Sequence, residues 1–501
     1  MLPLSRIVDR AAALQAALPA IVDGGVRFTY GELAQRAKKL AGALLARGIL
    51  PGDRVAILAR NSFRYLEVNL ACAYAGIILV PMNIRIAPAE ITRILTVTEA
   101  KLLLQALPYD GTTPAIMWDD RELPGADTAY EKLIAAGAQL DRAVKTQGDD
   151  IAQIFFTSGT TGEAKGVCLT HGNLITSALD SIVALELSPS DVWFHAPPMF
   201  HLVDAFAIWA VSMVGGLHVI AHFEPKDFGP IVQAQRVTKT SLPPVLLDMI
   251  ERDPAIGDYD LSSLERISYG GAPMPDAMYH RVTAALGCSL VQAYGITEVS
   301  GMVCQQIPSD LARDGGRRKN SAGQPVLHIE LKVIDDAGNA LPAGTIGEMA
   351  VRGERVMREY WRNPAATQAA MPDGWYRTGD LGVADADGHY AIVGRKKDMI
   401  ISGAENVYPA EVENALFAHP AVAEAAVIGV PSERWGEEVR AFVFLNAGHQ
   451  VTPDDLIAHC RGLIGGYKLP KAIEISAEPL PKSGPGKIAK TLLRAPYWDK
   501  R

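Results

Sequence analysis

Between residues 29 and 81 the chain passes twice from a helical apolar period into a short continuous apolar run. That alternation constrains the fold more than any other feature. The spacing predicts a helix over 30–47, with Thr29 as its N-cap and Glu32 completing a capping box. After Gly48 and Pro51-Gly52, the run Arg54-Val55-Ala56-Ile57-Leu58 is expected to be a buried strand, and a second helix and strand end at Val80-Pro81. Units of this kind stack into α/β layers with largely parallel sheets. The apolar stretches 66–82 and 205–220 fit the same helix-then-strand unit. Glu67 marks one, Gly215-Gly216 and His218 interrupt the other, and neither offers the ~20 unbroken apolar residues of a membrane span.

Further along, residues 107–147 are richer in Pro, Gly and Asp and suggest a peripheral excursion. A strand at 151–156 then leads into a Gly/Ser/Thr loop. The segments 329–334 and 346–352 alternate strictly and predict an antiparallel element, and the turn from Ala384 to Gly388 precedes a strand at 390–393. From Arg395 the texture becomes a short α+β pattern: helices at 409–419 and 453–463, strands at 422–430, 437–445 and 472–475. A chain of 501 residues has room for about three folding units. We therefore expect a large N-terminal multi-sheet α/β domain containing an antiparallel element (1–394) and a small α+β C-terminal domain (395–501), the boundary lying at Arg395–Lys397.

Charge and cysteine usage narrow the partners. Lys plus Arg is 48 against 56 for Asp plus Glu, a net charge of −8, which disfavours nucleic acid and anionic lipid surfaces. Cys72, Cys168, Cys288, Cys304 and Cys460 are scattered with no paired spacing, as expected of buried thiols in a reducing compartment. The first ten residues lack a secretory pattern, and a cytoplasmic location is expected. No Ser/His/Asp or Cys/His constellation for nucleophilic catalysis is evident.

The chemistry is concentrated in Thr157-Ser158-Gly159-Thr160-Thr161-Gly162-Glu163-Ala164-Lys165-Gly166. Hydroxyls and closely approaching backbone N–H groups suit phosphate oxygens, and Lys165 adds a point charge. The spacing is not that of a P-loop. The whole string resembles the signature of the adenylate-forming superfamily of acyl-CoA synthetases, peptide-synthetase adenylation domains and luciferases. Five further motifs follow in that superfamily's order: Gly270-Gly271-Ala272-Pro273, Tyr294-Gly295-Ile296-Thr297-Glu298, Tyr376-Arg377-Thr378-Gly379-Asp380, Gly394-Arg395-Lys396-Lys397-Asp398, and Pro481-Lys482-Ser483-Gly484-Pro485-Gly486-Lys487. The resemblance spans essentially the full chain and implies a β-barrel-like subdomain within the large domain and a mobile C-terminal domain.

It implies a ligase that uses ATP, Mg²⁺ and coenzyme A. Thr157, Ser158, Gly159, Thr160, Thr161, Gly162 and Lys165 would grip the β- and γ-phosphates. Gly271 and Ala272 would lie beside adenine, with Gln292, Tyr294 and Gly295 in the same nucleotide site. Asp380 and Arg395 would meet the ribose, Thr297 and Glu298 the phosphates and metal, and Lys487 the attacking carboxylate and α-phosphate. That reaction brings two anions together, so charge neutralisation and in-line positioning suffice without a covalent intermediate. Thioester formation would follow a swing about Lys397 that presents Gly403 and Ala404 to the pantetheine arm. Relatives usually carry a second glycine at the position of Ala404, so thiolation is expected to be slowed and adenylation intact.

For the acid, the resemblance places a pocket beneath Pro197-Pro198-Met199-Phe200-His201, with His201 as a gate. The following segment is mostly apolar, and Gly270, Gly271, Ala272, Gly295 and Gly301 leave room for more than acetate. No placed arginine marks a second carboxylate. Asp204 is expected to face solvent at a helix start, the alternative being a bond to a substrate hydroxyl or amine. A medium- or long-chain fatty acid leads, a hydroxycinnamate or other aryl carboxylate is close behind, and a stand-alone enzyme loading a carrier protein ranks third. A non-catalytic nucleotide-binding scaffold is disfavoured by the intact Lys487, Glu298, Asp380 and Arg395. A homodimer is compatible with the sequence but not specified by it.

Overall fold

A computed structural model of the chain describes residues 3–119, 123–125, 128–157, 164–272, 274–306, 321–403, 405–482 and 488–498. The opening alternation folds as expected. Helix Tyr30–Ala46 starts on a capping box in which the Thr29 side chain accepts from the Glu32 N–H and the Glu32 carboxylate accepts from the Thr29 N–H. Its apolar face packs against the buried helix Phe63–Ala75. Strands Arg54–Leu58 and Ile78–Pro81 lie side by side and parallel.

Among the described residues the large N-terminal part holds three sheets. The first is seven-stranded, in the order Glu359–Tyr360, Lys165–Thr170, Ile151–Thr157, Ile78–Pro81, Arg54–Leu58, Leu102–Gln105, Ala115–Met117. A nine-stranded sheet has the parallel strands Val192–Phe194, Lys239–Leu242, Arg266–Gly270 and Ser289–Ile296 at its centre. The third sheet is antiparallel and four-stranded: Ile329–Ile334, Gly347–Gly353, Tyr376–Ala384, Tyr390–Arg395. It occupies the place of the expected barrel-like subdomain. The first two sheets are therefore mixed rather than wholly parallel, since Ile151–Thr157 pairs antiparallel with Lys165–Thr170 and Ser289–Ile296 with Gly301–Gln305.

The C-terminal part is a distinct α+β region with its own core of Ile400, Val407, Val412, Leu416, Val427, Val439 and Leu456. Its sheet joins Ile400–Ser402, Glu405–Val407, Val422–Ser432, Gly436–Leu445 and Ala472–Ser476. The five cysteines are buried free thiols. Among the described residues no helix is long and apolar enough to cross a membrane.

One expectation is corrected. Residues 107–147 are not merely peripheral: helix Ala129–Ala136 buries Tyr130, Leu133 and Ile134, and Glu131 joins Arg36 and Glu67 in an ion-pair cluster beneath the surface. Gly42 and Gly137 let this helix approach closely, since a Cβ on Gly42 would lie 2.0 Å from the Ala138 carbonyl oxygen.

His171, the first residue of helix His171–Leu185, is 2% exposed, and its Nδ1 accepts the Leu4 N–H at 3.3 Å. Burial pulls its pKa down to about 4. The unfolded chain therefore binds a proton below the ordinary histidine value that the folded chain refuses. This contribution is complete above about pH 6.5 and is lost as pH falls towards 4, amounting to about 2 kcal/mol between pH 7.5 and pH 5. Urea titrations at those two pH values should show His171→Asn losing less stability on acidification than the parent by that margin. Equal losses would remove His171 from the acid response.

Candidate active site

Strand ends from all three large sheets converge on one region. The strand Ser289–Ile296 carries Gln292 and Tyr294 and runs into a single 3₁₀ turn, Thr297–Val299, that holds Glu298. Gln292 accepts from the Tyr269 hydroxyl at 3.1 Å. The half-buried Tyr294 donates its hydroxyl to Asp380 Oδ2 at 2.5 Å, and Arg395 Nε lies 2.8 Å from Asp380 Oδ1. Asp380 and Arg395 face each other across adjacent strands of the four-stranded sheet. Burial and the neighbouring Asp380 carboxylate push the Tyr294 pKa far above its usual value, so the phenol keeps its proton. These groups form one acceptor-and-cation pair of the kind that vicinal hydroxyls can bridge.

A second cluster surrounds Glu298. The Tyr360 hydroxyl donates to Glu298 Oε1 at 3.0 Å, and Lys165 Nζ stands 5.0 Å from the Tyr360 ring centre. Lys165 pairs in register with Thr157 across strands Ile151–Thr157 and Lys165–Thr170. Tyr360 and Tyr376 are both buried here, and burial followed by the Glu298 charge raises the pKa of each. Glu298 offers a hard carboxylate oxygen, and no group of three His, Cys, Asp or Glu among the described residues is placed to hold a metal. Such a cation would complete its shell from water and substrate phosphates. That is the habit of Mg²⁺, so the donor set fits it.

The structure thus brings Thr157, Lys165, Gln292, Tyr294, Thr297, Glu298, Asp380 and Arg395 to one junction. Gly271 and the exposed Ala272 follow the strand beside Gln292. Gly295 backs directly onto Gly301, whose carbonyl oxygen would lie 2.6 Å from a Cβ on Gly295. His201 caps helix Leu202–Val214, its ring centre 4.6 Å from that of Phe200, and Gly301 abuts the neighbouring Leu202. Lys397 is an exposed member of the 3₁₀ turn Lys396–Asp398. Gly403 (φ +61°) sits against Trp435, to whose carbonyl it donates its N–H at 2.9 Å. Ser158, Gly159, Thr160, Thr161, Gly162, Ala404 and Lys487 lie outside the described residues.

Two readings of the acyl side change. Asp204 does occupy the first turn of its helix but is 0% exposed rather than facing solvent. Its Oδ1 accepts from Trp193 Nε1 at 3.1 Å and its Oδ2 from His195 Nδ1 at 2.7 Å. With His195 protonated on Nδ1, its Nε2 accepts from His218 Nδ1 at 2.9 Å, and His218 Nε2 accepts from the Ser212 hydroxyl at 3.0 Å. An Asp/His/His/Ser chain therefore exists where the sequence revealed none. It is sealed in the core, and burial keeps His218 neutral, so it supplies no nucleophile. Its members are separated by up to 23 residues, and only folding aligns them.

The sequence also concealed Asn61. Its side-chain amide donates to the carbonyls of His195 (2.8 Å) and Pro197 (2.7 Å) and accepts the Met199 N–H (2.7 Å). A loop residue of one sheet thereby staples the turn leading to His201 in the next. Tyr360 was equally silent, being indistinguishable in sequence from a core aromatic, and Tyr376 stood in a motif whose only assigned group was Asp380.

Comparison with known proteins follows the same geography. The family description "AMP-binding enzyme" matches residues 8–361, and "AMP-binding enzyme C-terminal domain" matches 411–487. A feruloyl-CoA synthase from Amycolatopsis sp is 36% identical over 97% of this chain and 97% of its own length. A long-chain-fatty-acid–CoA ligase from Mycobacterium tuberculosis is 35% identical over 94% of this chain and 93% of its own. The ATP-bound crystal structure of MatB from Rhodopseudomonas palustris superposes with a TM-score of 0.90 at 28% identity, covering 99% of this chain and 98% of that one; the apo form of the same protein gives 0.80 at 28% identity and 99% of each chain.

The two glycines at the turn beside Gln292 differ in what they demand. A Cβ on Gly270 would lie 2.3 Å from the Ala293 carbonyl oxygen of the paired strand, whereas Gly271 (φ +81°) faces open space. Gly270→Ala should cost about 2–3 kcal/mol by forcing two backbones apart, and Gly271→Ala about 1 kcal/mol for its left-handed conformation. Denaturant midpoints of the two variants test the order; a Gly271→Ala variant as unstable as Gly270→Ala would contradict it.

Proposed function

The chain belongs to the AMP-binding enzyme family and is an AMP-forming acid–thiol ligase of the acyl-CoA synthetase class, and from that premise we propose that its acid is an aryl carboxylate of the hydroxycinnamate type. The observation that carries this reading is the character of the acyl side. The one acidic side chain at the start of helix Leu202–Val214 is committed to Trp193 and His195, leaving no carboxylate there for a substrate amine. Apart from Ser212, whose hydroxyl is bonded to His218, the rest of that helix is apolar. An uncharged, bulky acid fits such surroundings, and a feruloyl-CoA synthase of nearly matching length supports an aryl acid over the fatty acid that led on sequence alone. The same commitment of Asp204 weakens the amino-acid-loading alternative.

In this reading the acid's carboxylate attacks the α-phosphorus of ATP and pyrophosphate leaves. Gly271 and Ala272 flank adenine; Asp380 accepts from the ribose hydroxyls and Arg395 supports it. Thr157, Lys165 and the residues between them hold the terminal phosphates. Glu298 would help hold Mg²⁺, which when bound would shield the charge of the phosphate oxygens. Lys487 meets the two reacting anions as they approach. The CoA sulfur then attacks the adenylate carbonyl, the thioester forms and AMP departs.

The turn at Lys397 is the proposed pivot between these steps. On one side of it Lys396 Nζ is held by Asp336 (2.7 Å) and Glu348 (3.0 Å) of the large part. On the other, Arg494 of the C-terminal helix Lys490–Trp498 donates to the Lys397 carbonyl at 3.3 Å and stands 3.7 Å from Asp398. Each part grips one flank, which concentrates rotation at Lys397. The better superposition on ATP-bound than on apo MatB supports an adenylate-forming arrangement of the two parts.

AMP release measured with CoA should be at least about tenfold more efficient (kcat/KM) with ferulate or 4-coumarate than with saturated C8–C16 acids. The reverse order would return the fatty-acid reading. Lys487→Ala should lower the rate of adenylate formation by a factor of about 10² or more while ATP binding, followed by calorimetry, persists. Unchanged adenylation would dismiss that lysine's role.

A further inference from the structure

Behind the Glu298 turn lies a fully buried cation with no place in the reaction outlined above. Strand Gly347–Gly353 ends in a glycine, and the chain then turns inward to place Arg355, 0% exposed, under residues 298–300. Its Nη1 donates to Asp180 Oδ2 at 3.2 Å; its Nη2 donates to Ser177 Oγ at 2.9 Å and to the Ser300 carbonyl at 3.1 Å. Ser177 donates its own hydroxyl to that same carbonyl at 2.7 Å, and Ser300 returns a hydroxyl bond to the Arg355 carbonyl at 2.8 Å. Two residues further on, the Met357 N–H donates to the Glu298 carbonyl at 2.7 Å. Asp180 is also 0% exposed on its side chain, and its second oxygen meets His328 Nδ1 at 2.6 Å.

Stability does not account for this arrangement. A wholly buried ion pair is commonly no better for folding than a pair of apolar side chains of the same size, because desolvating both charges offsets their attraction. An apolar pair could not bond the Ser300 carbonyl. That carbonyl belongs to a non-glycine residue in the left-handed region (φ +54°), a conformation disfavoured by about 1 kcal/mol or more and kept only if its surroundings enforce it. Release of Ser300 would free the turn that aims Glu298.

We propose that Arg355, with Asp180 and Ser177, is a positioning residue that fixes the Glu298 turn in the geometry required for the Mg²⁺·ATP complex, without touching either. The inference rests on the reading that Glu298 meets that complex. It predicts a selective effect: affinity for nucleotide bound through the metal should depend on Arg355, whereas affinity for the nucleoside end, held at Asp380 and Arg395, should not.

The test is calorimetric titration of the full chain, without acid or CoA, by Mg²⁺·ATP and separately by AMP in the absence of metal. Arg355→Met combined with Asp180→Leu removes both charges together, leaving neither buried alone. The dissociation constant for Mg²⁺·ATP should rise about tenfold to a hundredfold, as for loss of groups that orient a metal ligand, with that for AMP within about twofold of the parent. Unchanged Mg²⁺·ATP affinity would overturn the proposal, as would AMP affinity falling in step with it. Should the double variant not fold, Ser177→Ala, which removes one of the two bonds to the Ser300 carbonyl, decides by the same pair of titrations, with a smaller shift of about threefold or more. Glu298→Gln separates the two layers of argument. If it leaves Mg²⁺·ATP affinity intact, the role of Glu298 itself fails; if it weakens binding while the Arg355 variants do not, only the positioning role fails.

Discussion

The Tyr294 hydroxyl bonded to Asp380 connects two sheets that share no strand among the described residues. The relative placement of the candidate site residues depends on such crossings. Backbone ladders fix residues within each sheet, but the candidate nucleotide groups lie on strands of three different sheets, and the backbone joins the nine-stranded and four-stranded sheets only locally, through the bridge between Gly323 and Tyr390. Polar side chains make further crossings: Tyr294 to Asp380, Tyr360 to Glu298, Asn61 to the turn before His201. Each pairs a buried or half-buried donor with an acceptor left over from its own sheet, and breaking one leaves a partner desolvated and unsatisfied. The geometry of the site is therefore as sensitive to these crossings as to the residues that would touch substrate.

The local parts of this architecture were legible because local chemistry specifies them. Thr29 and Glu32 cap a helix from three residues apart, and the strands at 329–334 and 346–352 announce themselves by alternation. The motif loops stand out since glycines and hydroxyls gather where backbone must approach a phosphate or turn sharply. What escaped was set by distance along the chain. Arg355 meets Asp180 across 175 residues and Asn61 meets the His195 carbonyl across 134. Asp204 illustrates the point: first-turn preference for aspartate places it correctly on the helix, yet says nothing about the tryptophan and histidine that enclose it. Short strands such as Ile400–Ser402 and Glu405–Val407 escaped for another reason, having too few residues to establish a period.

Helix Ala129–Ala136 carries a related lesson. Its surroundings are rich in turn-forming residues, which argued for an excursion, but Glu131 and Tyr130 complete a cluster with Arg36 and Glu67 under the first sheet. Composition describes the average of a segment, whereas burial is decided by individual side chains with partners elsewhere. Gly42 and Gly137 show the complementary effect, where the absence of a side chain is what admits the contact.

Charge balance explains why an active site of this design needs a second, separately cored part. Among the described residues Asp380 is matched by Arg395, while Glu298 accepts from the Tyr360 hydroxyl, against whose ring the Lys165 ammonium group stands. A polyphosphate and a carboxylate arriving together add several negative charges that these residues do not offset. In the proposed reading the remainder would come from groups able to arrive and leave: a hydrated divalent cation carried by the nucleotide, and Lys487 on a part that would turn about Lys397. Once pyrophosphate departed with its charge, the electrostatic attraction holding such a lysine would weaken, and the proposed rotation towards a thiol-accepting arrangement would become less costly. A rigid cleft lined with enough fixed cations could neutralise the first step, but it would retain pyrophosphate and offer no path for the thiol. Dividing the positive charge between a fixed junction and a part that pivots, as proposed for Lys397, would resolve that conflict.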